Sequence, residues 1–125
     1  MKIAIVSDDA RTVSQHFGRA THYVVLTIED GRVTAREARE KLGHTEGSHE
    51  PGHASAEAAD HPHRDMIGAV DDCKLLVAGR MGPGAYEAIR SRGLQPVLTE
   101  LRTIDDVADA YVRGALVDRP ERLHR

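Results

Sequence analysis

Tyr23-Val24-Val25-Leu26-Thr27-Ile28-Glu29-Asp30-Gly31-Arg32-Val33-Thr34-Ala35-Arg36 is the stretch on which the fold turns. Two β-rich runs flank Asp30-Gly31, and a two-residue type I′ turn needs positive φ twice, which Asp-Gly supplies at little cost. The runs are therefore expected as neighbouring antiparallel strands. Upstream, Ile3-Ala4-Ile5-Val6 is apolar at every position, which suits a central strand covered on both faces. Ser7-Asp8-Asp9 ends it with a turn signal. Downstream, Met66, Ile67 and Val70 have helical spacing, and Leu75-Leu76-Val77-Ala78 reads as a second buried strand. Pro83 suits the first turn of a helix carrying Ala85, Ala88 and Ile89 and stopping near Gly93. Pro96-Val97-Leu98 is a short strand whose proline marks a strand start or a sheet edge. Thr103 is the expected N-cap of a last helix, with Asp105 and Asp106 where the dipole favours them and Gly114 to end it.

The expected order is β-β-β-α-β-α-β-α, an α/β class with a mixed five-stranded sheet and helices on its faces. The domain is expected over residues 1–117, with a histidine-rich loop at 43–63 and a polar, frayed tail at 118–125. If β-strand one runs upward and the strand at 75–78 is parallel to it, three loops meet on one edge. These are the loop from Ser7 to His22, the start of the 43–63 stretch and the turn Gly79-Arg80-Met81-Gly82-Pro83-Gly84. Ligands in open α/β sheets favour that edge where strand order reverses.

The chain has 125 residues, a net charge of −3 and only 3% aromatics. No basic stripe and few stacking platforms are present, which argues against nucleic-acid binding. Cys73 is the only cysteine, so no internal disulfide forms. No apolar run approaches the roughly 18 residues of a membrane span, and no charged leader with an apolar h-region precedes Ile3. The expectation is a cytoplasmic protein with no membrane partner.

Five of the eight histidines fall in the loop: His44, His49, His53, His61 and His63. Neutral imidazole suits zinc, copper, iron and nickel, and Glu46, Glu50, Glu57 and Asp60 add oxygen donors. The spacings match no tight zinc signature, so a solvated polar loop is the competing reading. Ser14-Gln15-His16-Phe17-Gly18 lies on the convergent edge, with His16 as a candidate ligand, Phe17 as an anchor and Gly18 as a turn. Gly79, Arg80, Met81 and Gly82 join a strand to a helix N-terminus, whose unpaired N–H groups suit an anion. Arg80 could pair with an anionic cluster and Met81 could offer a soft thioether, or lie in the core. Cys73 is expected buried at the opposite edge. Asp8 and Asp9 could be imagined as a two-metal hydrolase site, but adjacent side chains diverge and make no paired-ion clamp.

Four segments resemble the dinitrogenase iron–molybdenum cofactor biosynthesis family, the NifX/NafY-like domain. They are Met1-Lys2-Ile3-Ala4-Ile5-Val6-Ser7, Val13-Ser14-Gln15-His16-Phe17-Gly18-Arg19-Ala20, Asp72-Cys73 before a strand, and Gly79-Arg80-Met81-Gly82-Pro83-Gly84-Ala85. One departure is that Gly79 precedes Arg80, where many members have a glycine between Arg and Met. The resemblance implies a ribonuclease H-like fold without nuclease function. It also implies binding or carriage of an iron–sulfur or iron–molybdenum cluster, received from donor and passed to acceptor proteins, with no enzymatic turnover. His16 and the Arg80-Met81-Gly82 turn are its expected contacts, and the loop histidines join them only as a class. The alternatives are a simple divalent-metal binder or sensor working through the histidine loop, and then a metal-dependent hydrolase. A monomer or weak homodimer is expected.

Overall fold

The computed structural model of the chain describes residues 1–41 and 67–122. Its strands are β1 (Lys2–Ser7), β2 (His22–Glu29), β3 (Arg32–Glu40), β4 (Leu75–Ala78) and β5 (Gln95–Leu98). They form one mixed sheet in the order β3-β2-β1-β4-β5. β1 pairs antiparallel with β2 and parallel with β4, so strand order reverses between β1 and β4. Two helices, α1 (Pro83–Ser91) and α2 (Ile104–Val112), follow β4 and β5.

The hairpin forms as its turn chemistry requires. Asp30 and Gly31 have φ of 54° and 76°, and Glu29 faces Arg32. Beyond it the register slips once: Thr27 faces Ala35 while Ile28 faces Val33, leaving Thr34 as a bulge. Ile67 and Gly68 are helical and the chain turns through to Asp72 before β4. Val70, expected on the same helix, lies in that turn instead, and Met66 lies outside the described residues.

Side-chain alternation splits the core into two layers. Ala4, Val6, Tyr23, Val25, Leu76 and Leu98 face α1 with Ile89 and Phe17. Ile3, Ile5, Val24, Leu26, Val77 and Val97 face α2 with Ile104 and Val107. Every residue of Ile3–Val6 is fully buried, which is why the run shows no polar position. Burying Ile3, Ile5 and Val6 is worth about 1.5–3 kcal/mol each. The Thr103 hydroxyl accepts the Asp106 N–H at 3.0 Å, capping α2.

The two sheet edges differ. On β5, Gln95 N–H and Thr99 N–H turn inward to Lys74 O and Ala78 O. Pro96 has no N–H to offer outward. Leu98 N–H donates to Asp118 Oδ1 at 2.8 Å, and Leu98 O accepts Arg119 N–H at 2.7 Å. On β3, every residue is exposed except half-buried Arg39.

Those contacts correct the expectation of a frayed tail as far as Arg122. Arg119 pairs with Glu100 at 3.0 Å, and Pro120–Arg122 forms a short 3-10 turn against the carboxyl edge of the sheet. Backbone groups on an edge strand need partners, and the polar tail supplies them. Among the described residues, no helix is long and apolar enough to cross a membrane.

Candidate functional site

The carboxyl ends of β1 and β4 open onto a splice made by Ser14. Ser14 N–H donates to Val6 O at 2.8 Å, and Ser14 O accepts Gly79 N–H at 2.9 Å. The same serine hydroxyl accepts His16 N–H at 3.2 Å, which starts the 3-10 turn Phe17–Arg19. Phe17 N–H donates to Arg80 O at 3.1 Å, locking the first loop onto the turn after β4.

His16, Phe17, Gly18, Arg19, Arg80, Met81 and Gly82 line the resulting cleft, about 180 Å³ in volume. His16 and Arg19 are exposed at its rim and Arg80 is half-buried. Gly82 is the N-cap of α1 and Pro83 occupies its first turn. Two arginines, one histidine and the N-cap residue of α1 thus line the cleft, with no acidic residue among its described lining residues. Such a set suits an anion that can also accept a nitrogen ligand.

Phe17 is the cleft wall. Its ring is 2% exposed within the α1-side core, and the Lys41 ammonium sits 4.6 Å from its centroid. Lys41 is fully buried, and this burial lowers its amino group from an ordinary 10.5 to about 8 against the opposing pull of Asp8. Lys41 is the last described residue before the histidine-rich stretch.

Gly79 is buried behind the cleft and does not line it. A Cβ there would lie 2.7–2.8 Å from the Gln15 amide. That amide is held: Arg122 donates from Nη2 to Gln15 Oε1 at 2.8 Å and from Nε to Gly79 O at 2.7 Å. Gly79 thus permits a close approach, and Arg122 clasps both loops. Met81 is 3% exposed and belongs mainly to the core, as the packing alternative has it.

Sequence reasoning missed Arg19 and Arg122. Arg19 follows Phe17 in a turn with no periodic signature, and Arg122 acts from a stretch with no apolar face. His44, His49, His53, His61 and His63 lie outside the described residues. No group of three or more His, Cys, Asp or Glu that could hold a metal ion occurs among the described residues.

A second cleft of about 530 Å³ on the same edge is lined by Thr12, Val13, Gln15, Glu100, Arg102 and Arg122. A cavity of about 610 Å³ lies against β5 and α1 and includes Met1, Lys74 and Asp118. It has no histidine among its lining residues and lies at the amino ends of β1 and β4, on the edge opposite the His16 cleft.

The remaining ionisable candidates are structural. Asp9 accepts Arg11 N–H at 2.9 Å and Thr12 N–H at 2.8 Å, which holds its carboxyl down at about 2. Asp8 instead accepts Thr21 N–H at 3.0 Å, so the adjacent pair diverges into different loops. Cys73 is 5% exposed at the amino edge, and burial with the Asp72 charge pushes its thiol up to about 12. Asp72 pairs with Arg39 at 2.7 Å and Lys2 at 3.3 Å, and Asp71 pairs with Arg92 at 2.7 Å.

A family model described as dinitrogenase iron-molybdenum cofactor matches residues 1–114. An uncharacterized protein of Methanocaldococcus jannaschii is 27% identical over 116 residues, covering 93% of this chain and 89% of that one. The crystal structure of PH0822 superposes with a TM-score of 0.70 at 25% identity, covering 95% of this chain and 96% of that one. The apo form of the orange protein from Desulfovibrio gigas superposes with a TM-score of 0.68 at 19% identity, over 94% and 91% of the two chains. This last likeness is one of fold.

Proposed function

Since the chain belongs to the dinitrogenase iron–molybdenum cofactor family, we propose that it binds and carries an anionic iron–sulfur or iron–molybdenum cluster as cargo in the His16–Arg80 cleft. One observation carries this reading: His16, Arg19, Arg80 and the N-cap residue of α1 line one cleft on the edge where strand order reverses. His16 supplies a nitrogen ligand. Arg19 and Arg80 offset the charge of a sulfide-rich cluster, and the first N–H groups of α1 add donors. Gly79 and Arg80 act as part of the turn that shapes the cleft, while Met81 contributes mainly packing. One side-chain ligand backed by charge gives a hold that is easily exchanged, as carriage between a donor and an acceptor protein requires.

The chain acts without turnover in this reading, as a cytoplasmic accessory on a ribonuclease H-like scaffold. His44, His49, His53, His61 and His63 would cover the cargo or add ligands. A divalent-metal binder working through those histidines alone is the second reading. It is favoured by their density in sequence and by the lack of a three-ligand group among the described residues.

Anaerobic reconstitution with iron and sulfide, followed by visible absorption and analysis of both elements, tests the carrier. Retained colour is expected for the wild type, with a marked loss in His16→Ala and Arg80→Ala. A colourless protein that retains no iron refutes it. Zinc binding that survives His16→Ala but not removal of residues 43–63 identifies the divalent-metal binder instead. That binding should weaken below about pH 6.5, where imidazole is protonated.

A further inference from the structure

Among the described residues no strand pairs with the outer side of β3, and its backbone polarity can be assigned residue by residue. Antiparallel partners alternate between pairs that exchange both hydrogen bonds and pairs that exchange none. Lys41 N–H donates to Thr21 O at 2.9 Å, while Ile28 exchanges bonds with Met1. Odd-numbered positions of β2 therefore turn their backbone groups to β3, and even-numbered ones to β1. Tyr23 faces Arg39 and Val25 faces Glu37, so Arg39 and Glu37 are turned inward. Arg36, Ala38 and Glu40 turn N–H and C=O away from the sheet.

Charge on an edge strand normally opposes pairing. Here the order of charges does something more selective. Arg36-Glu37-Ala38-Arg39-Glu40, turned about a two-fold axis through Ala38, sets Arg36 against Glu40 and Glu37 against Arg39, each twice. Ala38 meets Ala38, where a small side chain allows close approach. An axis through Arg36, Glu37 or Arg39 sets that charge against itself. An axis between two residues opposes an outward backbone to an inward one. Arg36, Ala38 and Glu40 share the α2-side face with Leu26 and Val24, and Glu37 and Arg39 share the other, so each face balances separately.

We propose that β3 pairs antiparallel with β3 of a second copy of this chain, in the register centred on Ala38, joining two five-stranded sheets into one of ten. The outward groups of Arg36, Ala38 and Glu40 exchange backbone hydrogen bonds. Within one copy Arg36 already meets Asp105 at 3.0 Å and Arg39 meets Asp72 at 2.7 Å, so the carboxylates of the second copy join guanidinium groups that are already engaged, and the order of charges selects this register over its neighbours. The Thr34 bulge bends the edge away beyond Arg36, which keeps the contact short and the association weak. The two-fold places the two His16 clefts at opposite ends of the joined sheet.

Sedimentation equilibrium of the full chain, from about 10 µM to roughly 1 mM, reads the association directly. A dimer fraction that rises with concentration is expected. It should fall as salt is raised from about 0.05 to about 0.5 M, because the ion pairs are exposed. Glu40→Arg, which sets Arg36 against another guanidinium, should weaken it by at least about tenfold. The double change Arg36→Glu with Glu40→Arg restores opposite pairs and should restore the dimer. Circular dichroism confirms that each variant is folded. A wild type that stays monomeric throughout overturns the proposal, as does a dimer indifferent to Glu40→Arg or a folded double variant that is not rescued. Slow amide exchange at Arg36 and Ala38 in a monomeric Glu40→Arg variant would show the edge covered by another segment, and also overturns it.

Discussion

Replacing Lys41 by Met should stabilise the protein at neutral pH, by an amount that shrinks as pH rises. Lys41 is fully buried and its amino group titrates near 8 in the folded chain against an ordinary 10.5. At 1.36 kcal/mol per pH unit the gap corresponds to roughly 3 kcal/mol, the cost of keeping the ammonium dry. The attraction of the Phe17 ring, 4.6 Å away, returns about 1 kcal/mol. Met keeps the length of the stem and removes the charge, so a net gain of at most about 2 kcal/mol is expected at pH 7. The sign with pH follows from proton counting. Between 8 and 10.5 the unfolded chain binds more protons at this site than the folded one, so wild-type stability rises with pH through that window. Cys73, raised to about 12, and Tyr23, also raised by burial, pull the other way at higher pH. Those two residues are common to both proteins and cancel in the difference. Urea unfolding at intervals from pH 7 to 10 should show the advantage of Lys41→Met narrowing towards zero. A difference that does not change with pH, or a Met variant less stable at pH 7, refutes the idea that a desolvated ammonium packs against the cleft wall.

Three further outcomes follow from contacts around the site. Arg122→Ala removes the two bonds that clasp Gln15 and Gly79. It should cost about 1–2 kcal/mol in urea unfolding and reduce retained iron after reconstitution. Thr103→Ala removes the cap of α2 and should cost about 1 kcal/mol, whereas Thr103→Ser should be close to neutral in thermal melting. Gly79→Ala drives a methyl group into the Gln15 amide. The melting temperature should drop and recover when Gln15→Ala is added. A single change that is neutral would mean that the amide moves aside freely.

What the sequence made legible was whatever local chemistry determines. The Asp30-Gly31 turn needs positive φ at both positions, and both have it. The unbroken apolar run Ile3–Val6 could only sit at the middle of a covered sheet, and it does. Pro96 marked an edge strand, and Thr103 caps the helix it was expected to cap. Of the expected site residues, His16, Arg80, Met81 and Gly82 line one cleft, while Gly79 stands behind it. The illegible part was set by tertiary contact. Lys41 reads as a surface residue because nothing in its neighbours announces the aromatic ring that the first loop brings to it. Asp118, Arg119 and Arg122 read as tail because their partners are backbone groups and the side chains of Gln15 and Glu100. Counting the backbone donors of an edge strand would have asked for Asp118, though not named it.

The treatment of β5 has a consequence for what the sheet can become. Polymerisation by strand addition needs two receptive rims on every unit, so that each newcomer leaves a fresh template behind it. Here Pro96, Asp118 and Arg119 close one rim within the chain itself. Whatever β3 recruits, the far side of the sheet has no N–H left at Pro96 or Leu98 to offer the next molecule. Growth is capped after one step, and a protein with a long, open strand is spared the fibres that such a strand would otherwise seed.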